Sequence, residues 1–209
     1  MTSKKRVVLI TGAESGIGKS TSKIFLDNGY KVICTYLKNN NNKNTKDIEY
    51  HRIDITKNKD WENLALYIKK KYKKIDVLVN SAGVRLSGNL ETTSMSDWSY
   101  HLNNNVTGSF LACKYILPFL KKAKNSSIIN VASINSIRGA KNMLAYATSK
   151  SAIISFTASL ALDLTKNKIR VNAVAPGAIE TPMLASFKKD LSLKEYQKRM
   201  KENHPIGRV

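Results

Sequence analysis

Tyr146 and Lys150 stand four residues apart in a segment patterned as a helix, so their side chains lie one above the other on one face. An ammonium beside a phenol favours the phenolate and lowers the tyrosine pKa. A tyrosine able to give and take a proton near neutrality is what carbonyl/alcohol chemistry needs. The spacing alone also describes an exposed helix face, so its weight comes from what accompanies it. Ser133 follows the apolar run Ile128-Ile129-Asn130-Val131, thirteen residues before Tyr146. Near the N-terminus, Thr11-Gly12-Ala13-Glu14-Ser15-Gly16-Ile17-Gly18 separates an apolar strand pattern from a helical one.

These residues need a scaffold, and the hydrophobic periodicity supplies one. Short apolar runs at 7–10, 31–36, 50–54, 76–80, 127–131 and 170–174 read as strands. Segments 17–26, 61–72, 95–119 and 145–165 read as helices between them. Strands without polar alternation, alternating with helices, predict one doubly wound α/β domain with a parallel sheet covered on both faces. The Asn/Lys-rich stretch around 39–47 reads as a loop.

The 209 residues, 42% hydrophobic and 24% charged, suit one soluble domain with a sizeable core. No apolar run reaches the roughly 18 residues of a membrane span, and the start of the chain carries no signal-peptide pattern. Cys34 and Cys113 have neither CxxC spacing nor a histidine cluster, so they read as buried free thiols of a reducing compartment, and no metal site is expected. The cytoplasm is the expected location. A net charge of +20 raises the question of nucleic acid. The lysines are scattered over outer helix faces with no nucleic-acid-binding motif, so no nucleic-acid partner is expected.

The chemical motifs converge on one rim. The glycine turn occupies the strand-to-helix position where a dinucleotide fold binds pyrophosphate, with backbone N–H groups and the helix dipole facing the anion. Its spacing is Gly-x-x-x-Gly-x-Gly. Asn80-Ser81-Ala82-Gly83, Ser133 and Pro176-Gly177-Ala178-Ile179-Glu180-Thr181 each follow a strand at the carboxyl edge, where open α/β sheets bind ligands.

With these motifs in this order, the chain resembles the short-chain dehydrogenase/reductase family over residues 5–209. The resemblance implies that Tyr146 is the general acid/base and that Ser133 hydrogen-bonds the reacting oxygen. Lys150 then lowers the tyrosine pKa and holds the nicotinamide ribose, and Asn105, in Asn105-Val106-Thr107-Gly108, supports a water relay to the lysine. Gly12, Ser15, Gly16, Ile17 and Gly18 would cradle the cofactor phosphates. Asp54 and Ile55 would contact the adenine, and Asn80, Ala82 and Gly83 would belong to the cofactor wall, where Ser81 replaces a family asparagine. Ile179 and Thr181 would grip the carboxamide, and Pro176 would belong to the same cofactor site.

Cofactor choice is read at the end of the second strand, Thr35-Tyr36-Leu37-Lys38. With no acid there to bind ribose hydroxyls, and with Tyr36 and Lys38 available, NADP(H) is favoured over NAD(H); Glu14 argues the other way. Segment 183–203 resembles the family's substrate lid, with Leu184, Phe187, Leu191, Leu193 and Tyr196 as its apolar residues. The resemblance leaves the substrate open, as a small-molecule or acyl-carrier-bound carbonyl, and implies a homodimer or homotetramer assembled through 95–119 and 145–165. The family's last helix and strand are expected to be missing after Val209, which would leave a sheet edge uncovered. A catalytically idle cofactor-binding regulator on the same fold is the alternative.

Overall fold

β1 (Val7–Thr11) and β4 (Val77–Asn80) are buried at every residue, the property that forces a sheet to be covered on both sides. They are the centre of a six-stranded sheet of order β3-β2-β1-β4-β5-β6 in which every pair is parallel. The remaining strands are β2 (Lys31–Tyr36), β3 (Ile48–Arg52), β5 (Ser127–Val131) and β6 (Arg170–Val174). The helices are α1 (Gly16–Asp27), α2 (Asn58–Lys71), α3 (Met95–His101), α4 (Gly108–Leu120), α5 (Leu144–Asp163) and α6 (Pro182–Lys188). This computed structural model describes residues 5–38 and 43–188, together with Ser192, Glu195, Lys198 and Glu202. Most of the expected lid, including Leu191, Leu193 and Tyr196 and the Phe187 side chain, lies outside the described residues.

Alternate strand residues feed two cores. Leu9, Ile33, Leu78 and Ile128 pack with Trp61 and Ile68 of α2 and Ile116 of α4. Val8, Ile10, Val32 and Val79 pack on the other face against Phe25 and Leu26 of α1. The doubly wound sheet predicted from periodicity is the fold observed. Strand order reverses between β1 and β4, and the crevice outside the carboxyl ends of such a pair is where these sheets bind ligands.

Two boundaries differ from the sequence reading. The third strand, expected at 50–54, runs from Ile48 to Arg52, because Asp54 has turned away into a local hydrogen-bonded turn. Its Oδ1 accepts from the Thr56 N–H (2.9 Å) and hydroxyl (2.7 Å), and its own N–H donates to Asp60 Oδ2 at 2.7 Å. The helix expected over 95–119 is continuous but not uniform. Between α3 and α4, residues Leu102–Thr107 form a π-helical turn, a widening that commonly marks functional positions, and Asn105 sits in it.

A buried chain of side chains locks α5 to the sheet. Asn80 Nδ2 donates to Asn130 Oδ1 (2.8 Å), Asn130 Nδ2 to Thr157 Oγ1 (2.9 Å), and Thr157 to the Ile153 carbonyl (2.6 Å). At the β3 edge, the buried Glu49 accepts from the hydroxyls of Tyr67 and Tyr72 and from the Lys71 ammonium. Burial pushes its carboxyl upward, but these three donors together hold it at about 2. At the other edge, Arg170, Asn172 and Val174 of β6 are exposed, and no strand pairs beyond it among the described residues.

Replacing Glu49 by Ala strands the buried Tyr72 hydroxyl and removes the acceptor shared by Tyr67 and Lys71. We expect urea unfolding to show a loss of about 2–4 kcal/mol at pH 7. The wild-type advantage should persist down to mildly acidic pH and disappear only as the pH falls through about 2, where the folded carboxylate takes up its proton.

Candidate active site

Helix α5 begins beside the carboxyl end of β5, which brings Tyr146 and Lys150 to the edge that carries Ser133. Lys150 is almost fully buried, and its Nζ donates to the Val131 carbonyl at 2.7 Å. Burial pulls its ammonium down to about 8. Ser133 opens a short 3₁₀ turn, Ile134–Ser136. Its Oγ accepts from the Asn135 N–H (3.2 Å), while Ser136 Oγ accepts from the Ser133 N–H (3.0 Å). The hydroxyl oxygen is therefore oriented by backbone, and its hydrogen is left to donate into the cavity.

Asn105 is buried, and its amide is fully engaged. Oδ1 accepts from the Val84 N–H (2.7 Å), and Nδ2 donates to the Val84 carbonyl (3.0 Å) and Ser149 Oγ (2.8 Å). It does not hydrogen-bond Lys150. It pins the chain after β4 where the backbone runs close to the site: a Cβ on Gly83 would stand 3.0 Å from Asn105 Oδ1 and 3.4 Å from Lys150 Nζ.

His101, which the sequence reading passed over, is also fully buried, and its ring meets Tyr146 edge-on at 6.4 Å. Its Nε2 accepts from the Leu86 N–H (2.9 Å), so the Nδ1 beside the Asp97 carbonyl (2.7 Å) carries the proton. Nothing in its sequence context signalled this. It depends on the chain after β4 folding back over α3.

The glycine turn fits tightly against the same β4 end. Thr11 Oγ1 accepts from the Ser81 and Ala82 N–H groups (3.0 and 3.1 Å). Gly12 adopts φ +65°, and a Cβ there would lie 2.7 Å from Ala82 Cα. One on Gly18 would lie 2.3 Å from the Gly12 carbonyl oxygen. No side chain caps the start of α1, so its first-turn N–H groups remain available to an anion.

Two cavities of about 660 and 510 Å³ share Ile17, Ser81, Gly83, Thr181 and Met183 and so form one groove. The first is lined by Ser133, Tyr146 and Lys150, and also by Pro176 and Ile179. The second is lined by Gly12, Ser15, Gly16 and Gly18, by Tyr36, Lys38 and Ile55, and by Ala82. Among the residues expected in the site, three do not line the groove. Asn105 acts behind it, and the Asp54 side chain is spent on Thr56, so that Ile53 and Ile55 face the cavity instead. Asn80 is turned inward to Asn130 and Cys113. Conversely, Tyr100 and Asn104, one helical turn apart, line the second cavity without having been singled out.

A glycine turn with no room for a Cβ, an uncapped helix start and a groove running from it to Ser133, Tyr146 and Lys150 fit an extended nicotinamide dinucleotide. The fold and site are those of an NAD(P)-dependent dehydrogenase or reductase. The family model described as short chain dehydrogenase matches residues 6–192, and the chain belongs to that family. It is 37% identical over 186 residues to the 3-oxoacyl-[acyl-carrier-protein] reductase of Thermotoga maritima, covering 85% of this chain and 76% of that one. Among solved structures, the ligand-free aldohexose dehydrogenase of Thermoplasma acidophilum is 32% identical, with a TM-score of 0.88, covering 99% of this chain and 82% of that chain. An actinorhodin polyketide ketoreductase with NADPH is 28% identical, with a TM-score of 0.89 and coverage of 98% and 85%.

The buried lysine has a thermodynamic signature. With a folded pKa near 8 and an unfolded value near 10.5, the native state binds fewer protons than the unfolded state between those values. Wild-type stability relative to a Lys150→Met variant should therefore rise as pH increases from 7 to 10, by up to about 3 kcal/mol. Parallel urea titrations check this, and a difference that stays flat with pH would contradict a desolvated ammonium.

Proposed function

We propose that this protein is an NADP(H)-linked carbonyl reductase and alcohol dehydrogenase in which Tyr146 transfers the proton. The observation that carries the reading is the convergence of Ser133, Tyr146 and the buried Lys150 on one cavity lining. The bound nicotinamide supplies or accepts the hydride. Tyr146 gives its phenolic proton to the carbonyl oxygen in reduction and takes it from the alcohol in oxidation. Ser133, its oxygen held by the Asn135 amide, donates to that same oxygen and stabilises the developing charge. The Lys150 ammonium, which burial pulls down to about 8, stands one helical turn from Tyr146 and is placed to bind ribose hydroxyls. Asn105 serves by position: through Val84 it holds the Gly83 backbone against Lys150.

The preference for the phosphorylated cofactor rests on charge at the end of β2. Lys38 lines the cavity there, and Arg52 brings a second cation by donating from Nε to the Leu37 carbonyl at 3.2 Å. Glu14 directs Oε1 at the Leu37 N–H, at 3.4 Å. One observation favours NAD(H): Glu14 Oε2 is buried with no hydrogen-bond partner and would gain one from a ribose hydroxyl.

A homodimer or homotetramer is supported by Phe110 of α4 (47% exposed) and Leu162 of α5 (78% exposed), apolar residues facing outward from two helices rich in nonpolar residues. A reducing compartment such as the cytoplasm suits Cys34 and Cys113, free buried thiols that burial pushes up to about 12.

Fluorescence titration with NADPH and NADH tests the cofactor assignment. NADPH should bind more tightly, and Lys38→Ala should weaken NADPH by about tenfold while leaving NADH unchanged. Preference for NADH, abolished by Glu14→Gln, would transfer the assignment to NAD(H). Tyr146→Phe should retain cofactor affinity and lose turnover by at least about a hundredfold; undiminished turnover would remove Tyr146 from the mechanism.

A further inference from the structure

Besides Lys150, the cavity half that holds Ser133 and Tyr146 is bordered by three cations: Arg85, Arg138 and Lys141. Among the described residues, no Asp or Glu lines it. Glu180 stands between two lining residues, Ile179 and Thr181, but does not itself face the cavity. Only seven of the chain's 35 basic residues are arginine, yet two of those seven are here. A general surplus of lysine does not account for that choice, because arginine offers a planar fork matched to an oxyanion.

The cations are built into the walls. Arg138 and Lys141 lie on the loop between Ser133 and Tyr146, five residues from each respectively. Arg85 comes from the facing wall, after β4. The two walls are tied by the Gly88 N–H to the Asn142 carbonyl (2.8 Å) and by the Leu144 N–H to the Gly88 carbonyl (3.0 Å). Arg85 is half-buried and crosses the mouth, with Nε 3.5 Å from Met143 Sδ and a guanidinium N–H donated to the Met183 carbonyl at 3.3 Å. The same cavity is lined by the apolar Ile134, Met143, Met183 and Leu184 and by the polar Asn135 and Asn142.

Resting on the reductase reading, we propose that the substrate is a ketone that also carries an oxyanion, and that Arg85 is the residue that selects for it. Ser133 and Tyr146 fix the carbonyl and Arg85 meets the anion, with Arg138 and Lys141 adding field at the open side. Two groups share this chemistry: the carboxylate of a free oxo acid, and the phosphate of a phosphopantetheine-like arm.

The test compares kcat/KM within two matched pairs: levulinate against methyl levulinate, and acetoacetyl-phosphopantetheine against acetoacetyl-pantetheine. The charged member of at least one pair should be favoured by about tenfold or more, the scale of a charge-assisted hydrogen bond in a partly desolvated site. The favoured pair identifies the source of the anion. Arg85→Gln should collapse that preference toward unity by lowering only the charged member, with NADPH affinity unchanged. Arg85→Lys should restore part of it. Equal rates within both pairs for the wild type would overturn the proposal. So would an Arg85→Gln variant that slows charged and neutral members alike, which would make Arg85 a strut. Failure to turn over any of the four while NADPH still binds would overturn it too, whereas loss of NADPH binding as well would remove the reductase reading beneath it.

Discussion

The arrangement turns on a positive charge that the fold removes from water. Lys150 extends from α5 to the carboxyl end of β5, where its ammonium donates to the Val131 carbonyl. Burying such a group costs folding free energy, and it is tolerated where the site needs the charge. Its neighbours are arranged around it. Gly83 has no side chain to collide with it, and Asn105 holds the Gly83–Val84 backbone in place. Ser149, adjacent in sequence, is drawn to the Asn105 amide and the Tyr146 carbonyl. Asn105 itself sits, buried, in the π-helical turn between α3 and α4.

That local device works only on a rigid platform. Parallel strands with two apolar faces are held from both sides, and their carboxyl ends are therefore the one part of the sheet open to a ligand. The Asn80–Asn130–Thr157 chain couples β4, β5 and α5 inside this apolar volume. It fixes the distance between the strand end bearing Ser133 and the helix bearing Tyr146 without using either residue. Satisfied buried polar chains of this kind specify one packing among several of similar apolar area.

The parts of this design legible in the sequence were those with a period or a spacing. Continuous apolar strands, the glycine turn and the Ser–Tyr–Lys spacing all survive translation into coordinates, because each is local and set by backbone geometry. The parts that were not legible depend on where one segment meets another. Asn80 and Asp54 have side chains that fit a cofactor contact equally well in one dimension. In three dimensions, Asn80 is captured by Asn130 and Asp54 by Thr56. His101 looked like an ordinary helix residue and becomes the floor under Tyr146, because the chain after β4 returns over it. The π turn leaves no trace in the hydrophobic pattern, since three consecutive asparagines at 103–105 suit either helical form.

Charge shows the same division between what a sequence counts and what a fold places. A net charge of +20 says little by itself, because lysines on outer helix faces are solvated and screened. Their meaning changes where the walls of a groove gather them. At the β2 end Lys38 lines the cavity near Arg52, which donates to the Leu37 carbonyl, with Glu14 beside them, and at the substrate mouth Arg85 is fastened to the Met183 carbonyl. The groove thus carries cations at both ends, with Glu14 beside those at the β2 end, and a buried ammonium between them. A fold that gathers charge along one groove in this way gives it a field that the count of charges alone does not reveal.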